Sequence, residues 1–332
     1  MTGEARRLRL EAAFHRRLRM RIPFFLLASL PSLALAGVAE AAPQPLGAIW
    51  QNGSDAVIVT PCPPGGDTDD FCRGVAVQQG KKVTPLGARY MSVTPLWIAS
   101  SPASAPSLVI LGDSGGSGGF GDLFVVTLTP ALAIRQLQGE RMDSVAVHSE
   151  GPLPAFELPF DIEFFNGAPH AGAIIVNLPV RWKSSPQGGD FALDFVALGK
   201  FPPSARQLEA RLAAMRHELH EWAKDRHAVA QLYPPESGTG TPVTVQALAD
   251  LALSGHADLA KDLLHRAWPK NDGHPLSGEG AFWAALCTRI AHHPLWKRLA
   301  LDQLPHAELV LAAANPQSPN HAANTAQSGI MQ

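Results

Sequence analysis

Ser114 stands in the pentad Gly112-Asp113-Ser114-Gly115-Gly116, inside the stretch VILGDSGGSGGFGDLFVV from Val109 to Val126. A serine in a glycine turn is one way to present a nucleophilic hydroxyl, because glycine lets a backbone crowd close and take positive φ without a steric cost. Such a hydroxyl needs a general base, and imidazole is the usual one. No histidine lies between Arg16 and Val147, so a base from the folded chain must follow the serine in the sequence. The stretch Asn271-Asp272-Gly273-His274-Pro275 supplies the candidate, His274. Two acidic groups invite a second chemistry. Asp113 and Asp122 bracket the glycine turn, and Asp67, Asp69 and Asp70 crowd a polar loop. Carboxylates so placed are weak candidates for Ca²⁺, which takes oxygen ligands from loops. No other cofactor is expected. Cys62 and Cys72 bracket that same loop, PPGGDTDDF, and are expected to form a disulfide.

The pentad resembles the nucleophile motifs of several hydrolase families. In chymotrypsin-like proteases the histidine precedes the serine, and here none does. In α/β-hydrolases the motif Gly-x-Ser-x-Gly sits on a strand–turn–helix elbow. Here GGSGGFG runs on into DLFVVTL, which reads as another strand. VILGDS also resembles the first block of the GDSL, or SGNH, esterases, whose closing block is Asp-x-x-His. In this chain Asp272 lies one residue too near His274, and Asp262-Leu263-Leu264-His265 falls in a helical pattern. The alternative that this resemblance implies is a secreted esterase with Ser114 as nucleophile and His274 as base. The turn also resembles the calcium loops of FG-GAP-type β repeats, without their inner Asp and Asn. The stretch His217-Glu218-Leu219-His220 looks like a shortened zinc-protease motif, with histidines three apart where that motif has four. A solvated helix face accounts for it, and a hairpin tip accounts for the glycine turn. Neither a catalytic nor a metal residue is therefore assigned.

The elements that must position these residues fall into two blocks. From about Gly47 to Lys200 come short runs rich in Val, Ile and Phe: DAVIVT, RGVAVQ, SLVIL, DLFVV, DSVAV, FDIEFF and AIIVNL. Gly, Pro, Asn and Ser clusters separate them, the pattern of antiparallel strands. After Phe201-Pro202-Pro203 the period changes. Leu208, Leu212, Met215, Leu219, Trp222 and Val229 mark one face of a long helix, capped by Ser204 and ended by Pro234-Pro235. Four shorter helical segments follow. The expected class is α+β: an antiparallel β domain over 42–201, as a sandwich, a barrel or a partial propeller, then a helical domain over 202–305. Residues 306–332, rich in Asn, Gln, Ser and Ala, are expected to be a disordered tail. Leu248, Leu251, Gly255, Ala260, Leu264 and Ala267 resemble the small and apolar positions of a single tetratricopeptide unit over Val245–Pro269. No second copy follows, so the resemblance implies one helical hairpin.

The remaining signals concern location. Arg16–Arg21 precede an apolar run, Ile22–Ala39, and Ala39-Glu40-Ala41 is a small-x-small site. This is the layout of a signal peptide over 1–41, cleaved after Ala41 or Ala36, with translation from Met1 or Met20. Pro23 and Pro31 interrupt the run, so no stable membrane insertion is expected after cleavage. The segment carries seven Arg and three Glu. Its removal leaves 20 basic and 26 acidic residues, a net charge of −6 with histidine neutral. A chain of that sign lacks the basic footprint of a nucleic-acid partner. The sequence thus predicts a periplasmic or secreted protein that is a non-catalytic binding or structural component of the cell envelope, with an envelope or extracellular ligand. Its oligomeric state is not legible.

Overall fold

The computed structural model describes residues 46–62, 72–100, 106–116, 118–139, 141–150, 152–163, 165, 173–186, 188–199, 203–224, 241–271, 274–275 and 278–315. Residues 1–41, expected to be a signal peptide, Asp67, Asp69, Asp70, Val229, Pro234-Pro235 and the chain after 315 lie outside the described residues.

Three four-stranded antiparallel sheets follow one another along the chain. The first contains β1 (Gly47–Asn52), β2 (Asp55–Pro61), β3 (Arg73–Gln79) and β4 (Lys82–Tyr90). The second contains β5 (Ser92–Ile98), β6 (Leu108–Gly115), β7 (Phe120–Thr127) and β8 (Ala133–Gly139). The third contains β9 (Ala146–Glu150), β10 (Leu153–Ile162), β11 (Ile174–Lys183) and β12 (Asp190–Leu193). In every sheet neighbouring strands are consecutive in the chain, so each is a simple meander with two open edges. Propeller blades are laid down in this order, and none of the three sheets closes on itself as a barrel does.

Alternation along the second sheet shows where the cores lie. Leu108 and Ile110 of β6, with Phe124 and Val126 of β7, pack in one cluster with Val57, Val75, Val77 and Tyr90 of the first sheet. Val109, Leu111, Leu123 and Val125 alternate with them and join a larger cluster that includes the third sheet and the helices. A sheet covered on both faces needs apolar residues at every position, which is why SLVIL and DLFVV read as unbroken runs. In the third sheet Phe156, Leu158, Phe160 and Ile162 stand opposite Val180, Leu178, Val176 and Ile174, making one continuous apolar face.

The helices follow: α1 (Phe195–Gly199), α2 (Ala205–Lys224), α3 (Pro242–Leu253), α4 (Ala257–Ala267), the small hairpin β13 (Lys270–Asn271) with β14 (His274–Pro275), then α5 (Glu279–His292), α6 (Pro294–Arg298) and α7 (Ala307–Ala314). The predicted α+β layout, β first and helical second, holds. Ser204 starts α2 as expected. Its hydroxyl accepts from the Gln207 amide at 3.3 Å while the Gln207 side chain accepts from the Ser204 amide at 2.8 Å, a reciprocal capping box. The stripe Leu212, Met215, Leu219 and Trp222 is buried. Helices α3 and α4 form the expected hairpin, with Leu248, Leu251, Ala260, Leu264 and Ala267 all buried. The larger core runs on from sheet to helix. Phe165 meets Phe282 edge-on at 5.3 Å, and Arg298 donates twice to Asp190.

The expectation of a disordered tail from His306 is corrected for its first part. Ala307–Ala314 form α7, because Ala307, Val310 and Ala314 fall on one face and are buried in the large core. The apolar stripe outweighs the composition that surrounds it.

Candidate functional site

The glycine stretch folds as a hairpin: β6 and β7 pair from Leu108 opposite Val126 to Gly115 opposite Phe120. Gly115 and Gly116 turn the chain with φ of 75° and 86°. The Asp113 side chain accepts from the Gly115 amide at 2.7 Å and so holds the turn. No helix follows, so the elbow of an α/β-hydrolase is not built here. Gly112 has a different reason. A Cβ there would lie 2.8 Å from atoms of the Tyr90 ring, which crosses the strand at that point.

Asp113 and Asp122 do not converge. Gly112 is paired with Asp122 and Asp113 with Gly121, so the two carboxylates leave opposite faces of the pleat. Asp122 is buried and already engaged: Tyr90 donates its hydroxyl to one oxygen and Gln136 its amide to the other, at 2.8 Å. Among the described residues no group of three or more His, Cys, Asp or Glu could hold a metal. The Asp67, Asp69 and Asp70 loop lies outside them. Its flanks are joined as expected by the Cys62–Cys72 disulfide, whose Cα atoms are 5.6 Å apart. Cys287 is a buried free thiol, and burial pushes its pKa up against the smaller opposing pull of Lys261.

The zinc-protease resemblance dissolves on Glu218. Its two oxygens accept from the Val243 amide at 2.9 Å and the Thr244 amide at 2.7 Å, capping the first turn of α3 from the neighbouring helix. His274 opens β14, paired with Asn271 in the hairpin between α4 and α5.

The structure brings Ser114 to the edge of a cleft of about 930 Å³, a size that suits a small molecule. Four regions form it: the tip of the second sheet, the 3₁₀ turn Met142–Ser144, the end of β10, and the C-terminal turn of α5 leading into α6. Phe120, Met142, Ile162 and Leu295 supply apolar surface. Ser114, Gln138 and Thr288 supply polar atoms, and Arg289 and His292 supply basic groups. The acidic groups of the far wall are engaged. Asp161 lies 3.1 Å from His293 Nε2, and Glu163 lies 3.8 Å from Arg141, with all four side chains largely buried.

His293 is held in one tautomer by its surroundings. Its Nδ1 accepts from the Leu295 amide at 3.1 Å, so the proton sits on Nε2 and is donated to Asp161. Its ring stacks on Phe160 with centroids 3.9 Å apart. His293 ends α5 and caps α6 at once, and it ties the helices to β10. His292 is exposed, and its Nδ1 lies 2.8 Å from the Thr288 carbonyl. That contact places the proton on Nδ1 and leaves Nε2 bare. Arg289 is exposed and makes no ion pair among the described residues. Ser114 is exposed, and its hydroxyl has no hydrogen-bond partner among the described residues.

The sequence carried Ser114 into this cleft but not its company. Phe120, Met142, Ile162 and Arg289 bear no motif, and only the fold unites them. No protein-family model, curated protein or solved structure matches the chain. No described helix is long and apolar enough to cross a membrane.

Proposed function

We propose that the chain is exported by its N-terminal segment and acts in the periplasm or outside the cell as a non-catalytic binding protein. Its ligand is a small amphipathic organic molecule. The apolar body lies against Phe120, Met142, Ile162 and Leu295, and an acceptor-bearing end, a carboxylate or carbonyl, faces Arg289. One observation carries this reading. The cleft pairs a mostly apolar wall with a basic group that has no ion-pair partner among the described residues, while its acidic groups are already engaged. Such a site offers burial to one end of a ligand and a charge-assisted hydrogen bond to the other. The Cys62–Cys72 disulfide supports an oxidising compartment.

A thermal-shift screen of the mature protein against small amphipathic acids and amides tests this. A true ligand at a hundred times its Kd adds about 2.7 kcal/mol to stability. Ser114→Trp, which fills the cleft from an exposed strand end, should abolish the shift. Shifts that survive this substitution would place binding elsewhere.

A second reading keeps Ser114 as the nucleophile of a serine esterase. What favours it is that Ser114 shares the cleft with His292, whose Nε2 is free to accept a proton. His292 would then take the role the sequence offered to His274. Turnover of short acyl esters that Ser114→Ala removes would establish it.

A further inference from the structure

We infer a second site, independent of the cleft, that binds a small oxyanion in the surface pocket between α2 and the end of α4. The pocket is lined by Arg216, His217 and His220 from α2, and by Arg266, Trp268 and Lys270 beyond them. Every ionisable group on its walls is basic. The chain as a whole carries 27 basic and 29 acidic residues, so this uniformity is local and not a reflection of overall charge.

The walls are fixed from behind. Met215, Leu219 and Trp222 are buried on the opposite face of α2, which turns Arg216, His217 and His220 outward together. Trp222 and Trp268 pack with ring centroids 6.0 Å apart, and Trp268 is buried under the pocket. Arg216 donates through Nε to the Arg266 carbonyl at 3.2 Å, leaving its terminal nitrogens for another partner. Arg266 is held by Glu209 at 2.6 Å and by Asp262 at 3.6 Å. Of the other acids near α2, Glu218 caps the start of α3, and Glu221 pairs with Lys224 at 2.8 Å while its charge also reaches His217 and His220 from outside the pocket lining. His217, His220 and Lys270 have no hydrogen-bond partner among the described residues.

The two histidines, three apart on one helix, are the pair that resembled a zinc motif. A divalent cation there would meet Arg216 and Lys270 at once, and Glu218 faces away from the pocket to cap α3. An oxyanion meets the opposite field, with a guanidinium fork, an ammonium and two imidazoles around it. Phosphate and sulfate share this chemistry with the headgroup of an anionic lipid.

The test follows the His217 and His220 ring protons by NMR near pH 6, the signals being assigned with His217→Asn and His220→Gln. Inorganic phosphate and sulfate are titrated at ionic strength held constant with chloride, and vesicles of phosphatidylglycerol or phosphatidylcholine are tested by co-sedimentation. The site predicts saturable shifts, weakened about fivefold by Lys270→Gln, the loss expected of one charge at about 4 Å in water. If the oxyanion belongs to a lipid, phosphatidylglycerol vesicles bind and phosphatidylcholine vesicles do not, again with loss in Lys270→Gln. The Lys270 side chain has no partner among the described residues to lose, so that variant keeps its fold. If neither the anions nor the vesicles give a response that Lys270→Gln weakens, the site does not exist.

Discussion

Tyr90, the last residue of β4, donates its phenolic hydrogen to the carboxylate of Asp122 in β7, and both side chains are buried between the first two sheets. This one bond gives Asp122 its place and explains the glycine opposite it. Burial first, then the hydrogen bond and the charge of Asp122, raise the Tyr90 pKa well above the ordinary phenol value. A phenol raised in the folded state stabilises the fold fully below its unfolded pKa of about 10, and that contribution is lost as pH climbs further. The chain has two tyrosines, the other being Tyr233. Ultraviolet titration of the native protein should therefore show that the Tyr90 phenol resists ionisation until the protein unfolds. Tyr90→Phe should cost about 1–3 kcal/mol in urea unfolding, because it leaves a buried carboxylate short of a donor. It should also flatten the alkaline loss of stability.

Gly112 yields to the same ring. Gly112→Ala places a methyl 2.8 Å from Tyr90 ring atoms that are buried and cannot retreat freely. Overpacking of this kind costs about 1–3 kcal/mol. Urea midpoints for Gly112→Ala and for the double variant with Tyr90→Ala separate the clash from any turn effect. The second methyl should be nearly neutral once the ring is gone.

Glu218 is a cap and not a base. Glu218→Ala should lower stability by about 0.5–2 kcal/mol, the usual worth of a helix N-cap. Adding zinc should leave the melting temperature of the wild type unchanged. A zinc-dependent rise lost in Glu218→Ala would reverse the assignment.

Asp194 sets an acid limit. Burial opposes its charge, but the Ala197 amide, Arg181 and the Val196 amide together hold its carboxyl below the usual range. A carboxyl depressed in the folded state stabilises the fold above its unfolded pKa of about 3.9, and this is lost as pH falls through the lower folded value. Asp194→Asn should therefore weaken the protein at neutral pH and make its stability less steep in acid below about pH 4. Urea midpoints measured from neutral pH down through the carboxylate range check both.

The order of β and helix was legible because β2, β3, β6, β7, β10 and β11 are covered strands with dense apolar runs. What escaped was mostly at sheet edges. β4 and β5 are edge strands that carry Pro85 and Pro95, and a proline in a run argues against a strand unless the missing amide faces an open edge. DSVAV was read as one strand, but it splits into the 3₁₀ turn at Met142–Ser144 and β9, since Met142 turns inward to line the cleft. The cleft itself was illegible beyond Ser114. Its walls come from residues near 120, 142, 162 and 289, and no local period links side chains that meet only through tertiary packing.

The location of the ligand is the claim on which the rest turns. The best ligand from the thermal screen, remade with a diazirine, can be photo-crosslinked to the protein and the labelled peptides sequenced. The cleft predicts labels at Phe120, Met142, Ile162 or the Thr288–Leu295 segment, all lost in Ser114→Trp. Labels confined to other surfaces, or unchanged in that variant, would contradict it.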